Sequence, residues 1–178
     1  INGFRFGKRT AEDPPWEEIN AGWGEAALAL STIHTKLGPK ATRAMYRVLP
    51  VGNLSWVTKV DASGSEIDKF PLHFNGEFST SSSFLSATGF SFFSGTPRYD
   101  LGMTNYLKVM ADVANFAGVT RDVYVPWKIV GDKLVNTQNK NEEYTIKYHS
   151  SSSLEGWTKA LKCVLENLLT LLCVFDRK

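Results

Sequence analysis

The sequence has few residues arranged for catalysis. Its three histidines, His34, His73 and His149, are far apart along the chain, and spacing alone pairs none of them with a carboxylate. Catalysis by any of them would need a partner from a distant segment, so a histidine beside a carboxylate in a cleft would reopen this possibility. The adjacent acids Glu17 and Glu18 fall in the first turn of a predicted helix, where they complement the helix dipole. We therefore predict that the chain is not an enzyme.

Motifs that hold cofactors or metals are also missing from the sequence. No phosphate-binding glycine loop, zinc-ligand spacing or nucleophile elbow occurs. The nearest glycine pattern, residues 22–24, lies inside a predicted helix and lacks a third glycine, which favours a close-packing site. Cys163 and Cys173 share one apolar helical run, which predicts two buried thiols in a reducing compartment. We expect no cofactor and no metal.

An aromatic run at residues 90–93 raises a different kind of chemistry. In a strand, Phe90 and Phe92 would share one face and Phe93 would point to the other. Alternatively, Phe92 and Phe93 project from a loop between a strand and a helix, because the flexible pair Ser94 and Gly95 follows them. Periodicity favours the buried strand, and the exposed loop remains the alternative.

Length and charge limit the class of protein. At 178 residues the chain is long enough for one domain with a substantial core. A net charge of +2 argues against a general nucleic-acid-binding protein, which would carry a large basic excess. The longest apolar stretch is interrupted by Glu166, Asn167 and Thr170 and is too short to span a bilayer. Any membrane contact is therefore expected to be peripheral.

Three amphipathic helices are predicted from apolar residues at helical spacing. The first follows the double proline at residues 14–15 and ends at Gly38. The second opens at Thr96, with a proline in its first turn. The third begins at the capping-box pattern of residues 152–155. Each helix has one apolar face, which must cover other structure.

Strand-like segments precede each helix. They are Asn2 to Phe6, Tyr46 to Pro50, Leu54 to Val60, Lys69 to Phe74, Val123 to Val130 and Tyr144 to Tyr148. The repeated order of strands and helix predicts a single α/β domain of three β-sheet/α-helix repeats. The serine-rich stretch from Ser79 to Thr88 is predicted to be a mobile surface loop.

Five stretches, in order along the whole chain, share the motifs of a known family. They are INGFRFGKR, WEEINAGWGEAALAL, YRVLPVGNLS, FFSGTPRYDLGM and YTIKYHSSSSLEGWTKALKCVLENL. Together they resemble the C-terminal domain of the Beclin family of autophagy proteins, the β-α repeated, autophagy-specific domain. The second stretch, which has the pattern W-x-E-I-N-A-x-W-G, and the W-T-K-A-L-K segment of the last are the most specific.

The resemblance implies a fold and a function. Residues 1–178 would form the three-repeat domain without its first strand. The protein would be a non-catalytic subunit of the class III phosphatidylinositol 3-kinase complex, acting in autophagy and in endosomal or vacuolar protein sorting. Its expected partners are the catalytic and regulatory subunits of that complex and anionic lipid membranes. Its expected location is cytoplasmic, peripheral on autophagosome-precursor and endosomal membranes. Relatives pair through an upstream coiled coil that this sequence lacks, so we expect a monomer.

The resemblance also identifies candidate site residues. By motif position, the lipid-binding aromatic finger of the family corresponds to Phe92, Phe93 and Ser94. Many relatives have tryptophan where this chain has Ser94, so the interfacial anchor is expected to be smaller. Lys69 and Arg98 are candidate cations for anionic lipid. In the alternative interpretation, the same patch is a protein–protein interaction module without direct lipid binding.

Overall fold

The computed structural model describes residues 1–37, 45–76 and 97–176. The elements in these ranges follow the order helix, three strands, helix, three strands, helix. The helices are α1 (Trp16–Leu37), α2 (Arg98–Arg121) and α3 (Leu154–Asp176). The strands are β1 (Tyr46–Leu49), β2 (Trp56–Val60), β3 (Glu66–Pro71), β4 (Trp127–Val130), β5 (Lys133–Asn136) and β6 (Glu143–Thr145).

The six strands form two antiparallel sheets of three, in the orders β1-β2-β3 and β4-β5-β6. In the first sheet Val48, Val57 and Phe70 occupy one cross-strand row, and all three are buried. Because side chains alternate between the faces of a strand, this row defines the face that turns toward the helices. The opposite face carries one row of Arg47, Thr58 and Lys69 and a second row that contains Trp56.

Helix α2 packs directly on the first sheet. At Gly102 an added Cβ would lie 1.9 Å from the carbonyl oxygen of Pro71, so the helix backbone touches the end of β3. Backbone on both sides leaves no flexible side chain that could move away. Glycine at position 102 therefore fixes the distance between α2 and the sheet.

Three large aromatic side chains at the centre of the core are fully buried. Their polar groups all have partners: Trp23 Nε1 donates to Tyr99 Oη at 2.9 Å, Tyr106 Oη donates to the Ala26 carbonyl, and Trp157 Nε1 donates to the Ile146 carbonyl. Buried donors without partners would cost about 1 to 3 kcal/mol each. The core thus buries large aromatic area without that penalty.

The second sheet is tied to α3 through one buried side chain. Asn167 accepts a hydrogen bond from the backbone N–H of Trp127 at 3.0 Å and donates to the carbonyl of the same residue at 2.8 Å. The amide therefore acts as an additional strand partner for the first residue of β4. These two hydrogen bonds explain why a fully buried asparagine lies on the otherwise apolar inner face of α3.

The predicted fold class, a single α/β domain with three sheet-and-helix units, is confirmed in its mixed composition of helices and sheets. The helix bounds also agree closely with the predicted patterns. Two details differ. Pro97, predicted in the first turn of the second helix, is the N-cap before Arg98. The cap of α3 is Ser153, whose hydroxyl accepts the Gly156 N–H at 3.0 Å, whereas the pattern placed the cap at Ser152. No helix within the described ranges is long and apolar enough to cross a bilayer.

The predicted strand from Asn2 to Phe6 is wrong. Residues Asn2 and Gly3 have positive φ angles of 47° and 87°, and the Phe4 N–H donates to the Ile1 carbonyl at 2.8 Å. These residues form a turn, because a β-strand requires negative φ angles at successive residues. The first helix is therefore not preceded by a strand within the described residues.

Other strand predictions need adjusted bounds. The strand predicted from Val123 begins only at Trp127, and the one predicted to reach Tyr148 ends at Thr145. β5 was missed because its four residues follow the turn at Gly131 without an apolar run of their own. The prediction of two buried thiols is half right, since Cys163 is buried and Cys173 is exposed.

Candidate functional site

The predicted finger residues Phe92, Phe93 and Ser94 lie outside the described residues, as does the predicted loop from Ser79 to Thr88. The described residues on either side of this segment are Gly76 and Pro97. The surroundings of these two positions show what the finger segment is attached to.

An aromatic stack joins the residues next to the two attachment points, Phe74 before Gly76 and Tyr99 after Pro97. The rings of Phe74 and Tyr99 lie 5.4 Å apart between centroids with an interplanar angle of 15°. The backbone of Phe74 also exchanges two hydrogen bonds with the side chain of Asn20 on α1, at 2.9 and 3.0 Å. The chain is thus held on both sides of residues 77–96 by one rigid part of the domain.

Trp16, the first residue of α1, lies at the centre of this aromatic cluster. Its ring meets those of Phe74, Tyr99 and Tyr148 edge-on, at centroid distances of 4.7, 5.9 and 5.0 Å. Edge-to-face pairs of this kind stabilise beyond their buried area by roughly 0.5 to 1.5 kcal/mol each. The cluster therefore joins α1, the end of the first sheet, the start of α2 and the segment before α3.

A buried lysine closes the cluster from the N-terminal side. Lys8 Nζ lies 4.6 Å from the centroid of the Trp16 ring and donates to the carbonyls of Ala11 and Pro14 at 2.8 and 2.9 Å. Burial lowers the pKa of Lys8, and the charges of Asp13 and Glu17 oppose this shift. The ammonium group therefore acts as a cross-link of the N-terminal loop.

The histidine-carboxylate pair that would suggest an enzyme is present, but its carboxylate is enclosed. Asp100 Oδ1 lies 3.0 Å from His149 Nδ1. The carboxylate also accepts the backbone N–H groups of Tyr148, at 3.0 Å, and His149, at 3.3 Å, and its side chain has no exposed surface. A carboxyl group that accepts two backbone N–H groups, contacts the His149 ring and is closed to solvent fixes a loop rather than meeting a substrate. We interpret the pair as structural.

The other two histidines are held by local contacts. His73 Nδ1 lies 3.3 Å from the Ser55 carbonyl and its ring meets Trp56 edge-on at 4.6 Å, while burial lowers its pKa. His34 is buried in α1, close enough to Asp112 to oppose the rise that burial causes in the pKa of that carboxyl. Across the described ranges, no group of three histidine, cysteine or acidic side chains could hold a metal ion.

The two predicted lipid-contacting cations are engaged within the protein. Lys69 Nζ lies over the Trp56 ring at 4.6 Å. Arg98 forms an ion pair with Asp68 at 2.8 Å, donates to the Lys69 carbonyl and covers the ring of Phe70. Arg98 directly follows Pro97, the second attachment point of the finger segment, and contacts Asp68 and the Lys69 carbonyl on β3. Arg98 is neutralised by its partner, so Lys69 is the better candidate for an anionic ligand.

Comparison with known proteins identifies the family. The family model described as the Apg6 BARA domain matches residues 1–177. A Beclin-1-like protein of Drosophila melanogaster is 34% identical over 94% of this chain and 35% of its own length. A Beclin-1-like protein of Arabidopsis thaliana is 32% identical over 94% of this chain and 29% of its own, and Beclin-1 of Xenopus laevis is 30% identical over 94% and 34%.

The chain therefore spans about a third of the length of these curated relatives. The sequence motifs, the three helices and two small sheets, and the match along nearly the whole chain agree with one another. This chain belongs to the Beclin family, and its residues 1–177 form the Apg6 BARA domain of that family.

Proposed function

We propose that this chain is the non-catalytic, membrane-engaging domain of a Beclin-type subunit of the class III phosphatidylinositol 3-kinase complex. In this role it acts in autophagy and in endosomal or vacuolar protein sorting, on the cytoplasmic face of autophagosome-precursor and endosomal membranes. Its partners are the catalytic and regulatory subunits of that complex and anionic lipid. Family membership supports this proposal, and so does the attachment of the finger segment to the domain.

The stack of Phe74 on Tyr99 is the observation that carries the membrane part of the proposal. Phe74 and Tyr99, which lie on the two sides of residues 77–96, stack on each other, so the segment that contains Phe92 and Phe93 begins and ends beside one cluster. A rigid base lowers the entropic cost of ordering a contact. Burying two phenylalanine side chains in lipid would contribute about 2 to 3 kcal/mol each before that cost. Other membrane-contacting subunits would add avidity.

Co-sedimentation with anionic vesicles tests the proposal. The native chain is compared with a Phe92→Asp/Phe93→Asp variant and with a Val119→Asp/Tyr124→Asp control. Val119 and Tyr124 are 88% and 74% exposed near the C-terminal end of α2, far from Arg98 at its start. The control therefore adds the same two charges at the opposite end of the helix.

We expect the finger variant to stay in the supernatant while the control binds like the native chain, with equal melting temperatures for all three. A finger variant that binds normally would overturn the membrane role of these phenylalanines. If the native chain ignores vesicles but captures the kinase subunits, the protein-only interaction module is the correct function. Light scattering at several concentrations tests the expected monomer, which a rising mass would contradict.

A further inference from the structure

A second apolar element lies at the end of the first sheet. Between β1 and β2 the chain turns through residues 51–54, and Val51 and Leu54 are 57% and 52% exposed. Turns at protein surfaces are normally polar, so two exposed aliphatic side chains on one turn form an unusual tip.

This tip is held rigidly. Leu54 N–H donates to the Val51 carbonyl at 3.1 Å, and the buried Ser55 hydroxyl donates to the Gly52 carbonyl at 2.7 Å while accepting the Val51 N–H. Helix α1 also packs against the turn so closely that a Cβ on Gly24 would lie 2.4 Å from the Gly52 carbonyl oxygen. The apolar side chains are therefore displayed on a fixed backbone, which lowers the cost of ordering them in a contact.

The tip lies beside the chain that leads to the finger segment. The carbonyl of Ser55, next to the turn, accepts the N–H of Leu72 at 2.9 Å, and Trp56 pairs with Pro71 in the sheet. Four residues after Leu72 the described chain reaches Gly76. The opposite end of the sheet carries Met45, whose carbonyl accepts the N–H of Val60.

The side chains around the tip match the interfacial layer of an anionic bilayer. Trp56 is half-buried on the outer face of the sheet, and Lys69 Nζ lies over its ring. The nearest acid on β3, Asp68, is already paired with Arg98. Indole rings and snorkelling cations beside exposed aliphatic groups favour the boundary between lipid headgroups and acyl chains.

We propose that Val51, Leu54 and Trp56 form a second lipid-contacting element, with Lys69 as its contact to anionic headgroups. It deepens the proposed function and rests on it, because it assumes that this end of the domain faces a membrane. Val51 and Leu54 enter the acyl boundary, and the indole lies at headgroup level.

A pair of matched variants tests this element. Val51→Ser/Leu54→Ser removes apolar area without changing charge. The control is Met45→Ser/Ile67→Ser, because these side chains are 57% and 56% exposed toward the opposite end of the same sheet. Each is sedimented with phosphatidylcholine vesicles that contain phosphatidylserine. We expect the tip variant to lose about tenfold in partition, since two aliphatic groups no longer enter lipid, and the control to match the native chain.

A second measurement leaves the tip intact. An environment-sensitive fluorophore on Asn53→Cys, in a Cys173→Ser background, sits between the two apolar side chains. Its emission should shift to the blue with phosphatidylserine vesicles, whereas the same label on Lys128→Cys in the second sheet should not respond. Lys69→Gln should reduce the preference for phosphatidylserine over phosphatidylcholine alone.

The outcomes separate the tip from the finger when Phe92→Asp/Phe93→Asp is measured in parallel. If the tip variant loses binding and the finger variant does not, the tip element stands and the proposed finger fails. If only the finger variant loses binding and the label on residue 53 is silent, the tip element is overturned and the finger stands. Equal losses in the tip variant and its control, or a native chain that ignores vesicles, would also overturn the tip element.

Discussion

Phe74 and Tyr99 stack nearly in parallel, and their residues lie on opposite sides of the segment that contains the predicted finger. The same tyrosine hydroxyl accepts the buried Trp23 N–H, so it joins the base of this segment to the centre of the core. Burial raises the pKa of Tyr99 far above its usual range, which keeps the hydroxyl neutral. Tyr99 therefore contributes both to the stack with Phe74 and to the hydrogen bonding of the core.

Tyr99→Phe should separate these two roles. The ring remains and can still stack on Phe74, but the Trp23 donor loses its acceptor inside the core. We expect a loss of about 1 to 3 kcal/mol in the free energy of unfolding, measured by urea denaturation, with vesicle binding unchanged. Unchanged stability would contradict the assignment of this hydrogen bond.

Asn167→Ala should loosen the second sheet. The substitution leaves the N–H and the carbonyl of Trp127 without their partner in a buried position. We expect a loss of at least about 2 kcal/mol and faster amide exchange across β4 and β5 than across the first sheet. Uniform acceleration in both sheets would show instead that Asn167 supports the whole core.

Acid should destabilise the protein partly through Glu18. The hydrogen bonds from the Arg5 guanidinium and backbone lower the pKa of Glu18 from 4.5 to about 2. A carboxyl with a depressed pKa in the folded state stabilises that state above pH 4.5, and this contribution is lost as the pH falls from 4.5 through 2.

Glu18→Gln should therefore lower the melting temperature at pH 7 and flatten its decline below pH 4.5. The neighbouring Glu17→Gln provides the control, since Glu17 is exposed one residue away. If both variants follow the native pH profile, the contact with Arg5 does not contribute to stability.

The two thiols should differ in reactivity. Burial raises the pKa of Cys163 to about 12, whereas Cys173 is exposed. Because the thiolate is the reactive form, Ellman's reagent should titrate one thiol quickly at neutral pH and the second only after unfolding. In Cys173→Ser the fast phase should vanish, and its persistence would show that Cys163 is accessible.

Periodicity predicted the helices because each has one apolar face and clear end signals. It placed the end of α1 next to Leu37, where Gly38 follows. The strands were harder to predict, since β5 has only four residues and the apparent strand at Asn2 to Phe6 contains two positive φ angles. Spacing cannot reveal such backbone conformations.

Pairings across long separations were also beyond the sequence. Asp100 and His149 are 49 residues apart, and only the packing of α2 against the loop before α3 brings them together. The apolar tip, by contrast, had a local signal, because the turn around Gly52 carries two aliphatic residues where polar ones are usual.

The reciprocal hydrogen bonds between Lys8 and Thr158 have a consequence for biosynthesis. The Thr158 hydroxyl accepts the Lys8 N–H at 2.9 Å and donates to the Lys8 carbonyl at 2.8 Å, across a separation of 150 residues. A ribosome needs on the order of ten seconds to translate that distance. Throughout this interval the backbone of Lys8 lacks these two hydrogen bonds, so the N-terminal loop makes its final contacts only after the start of α3 has been translated.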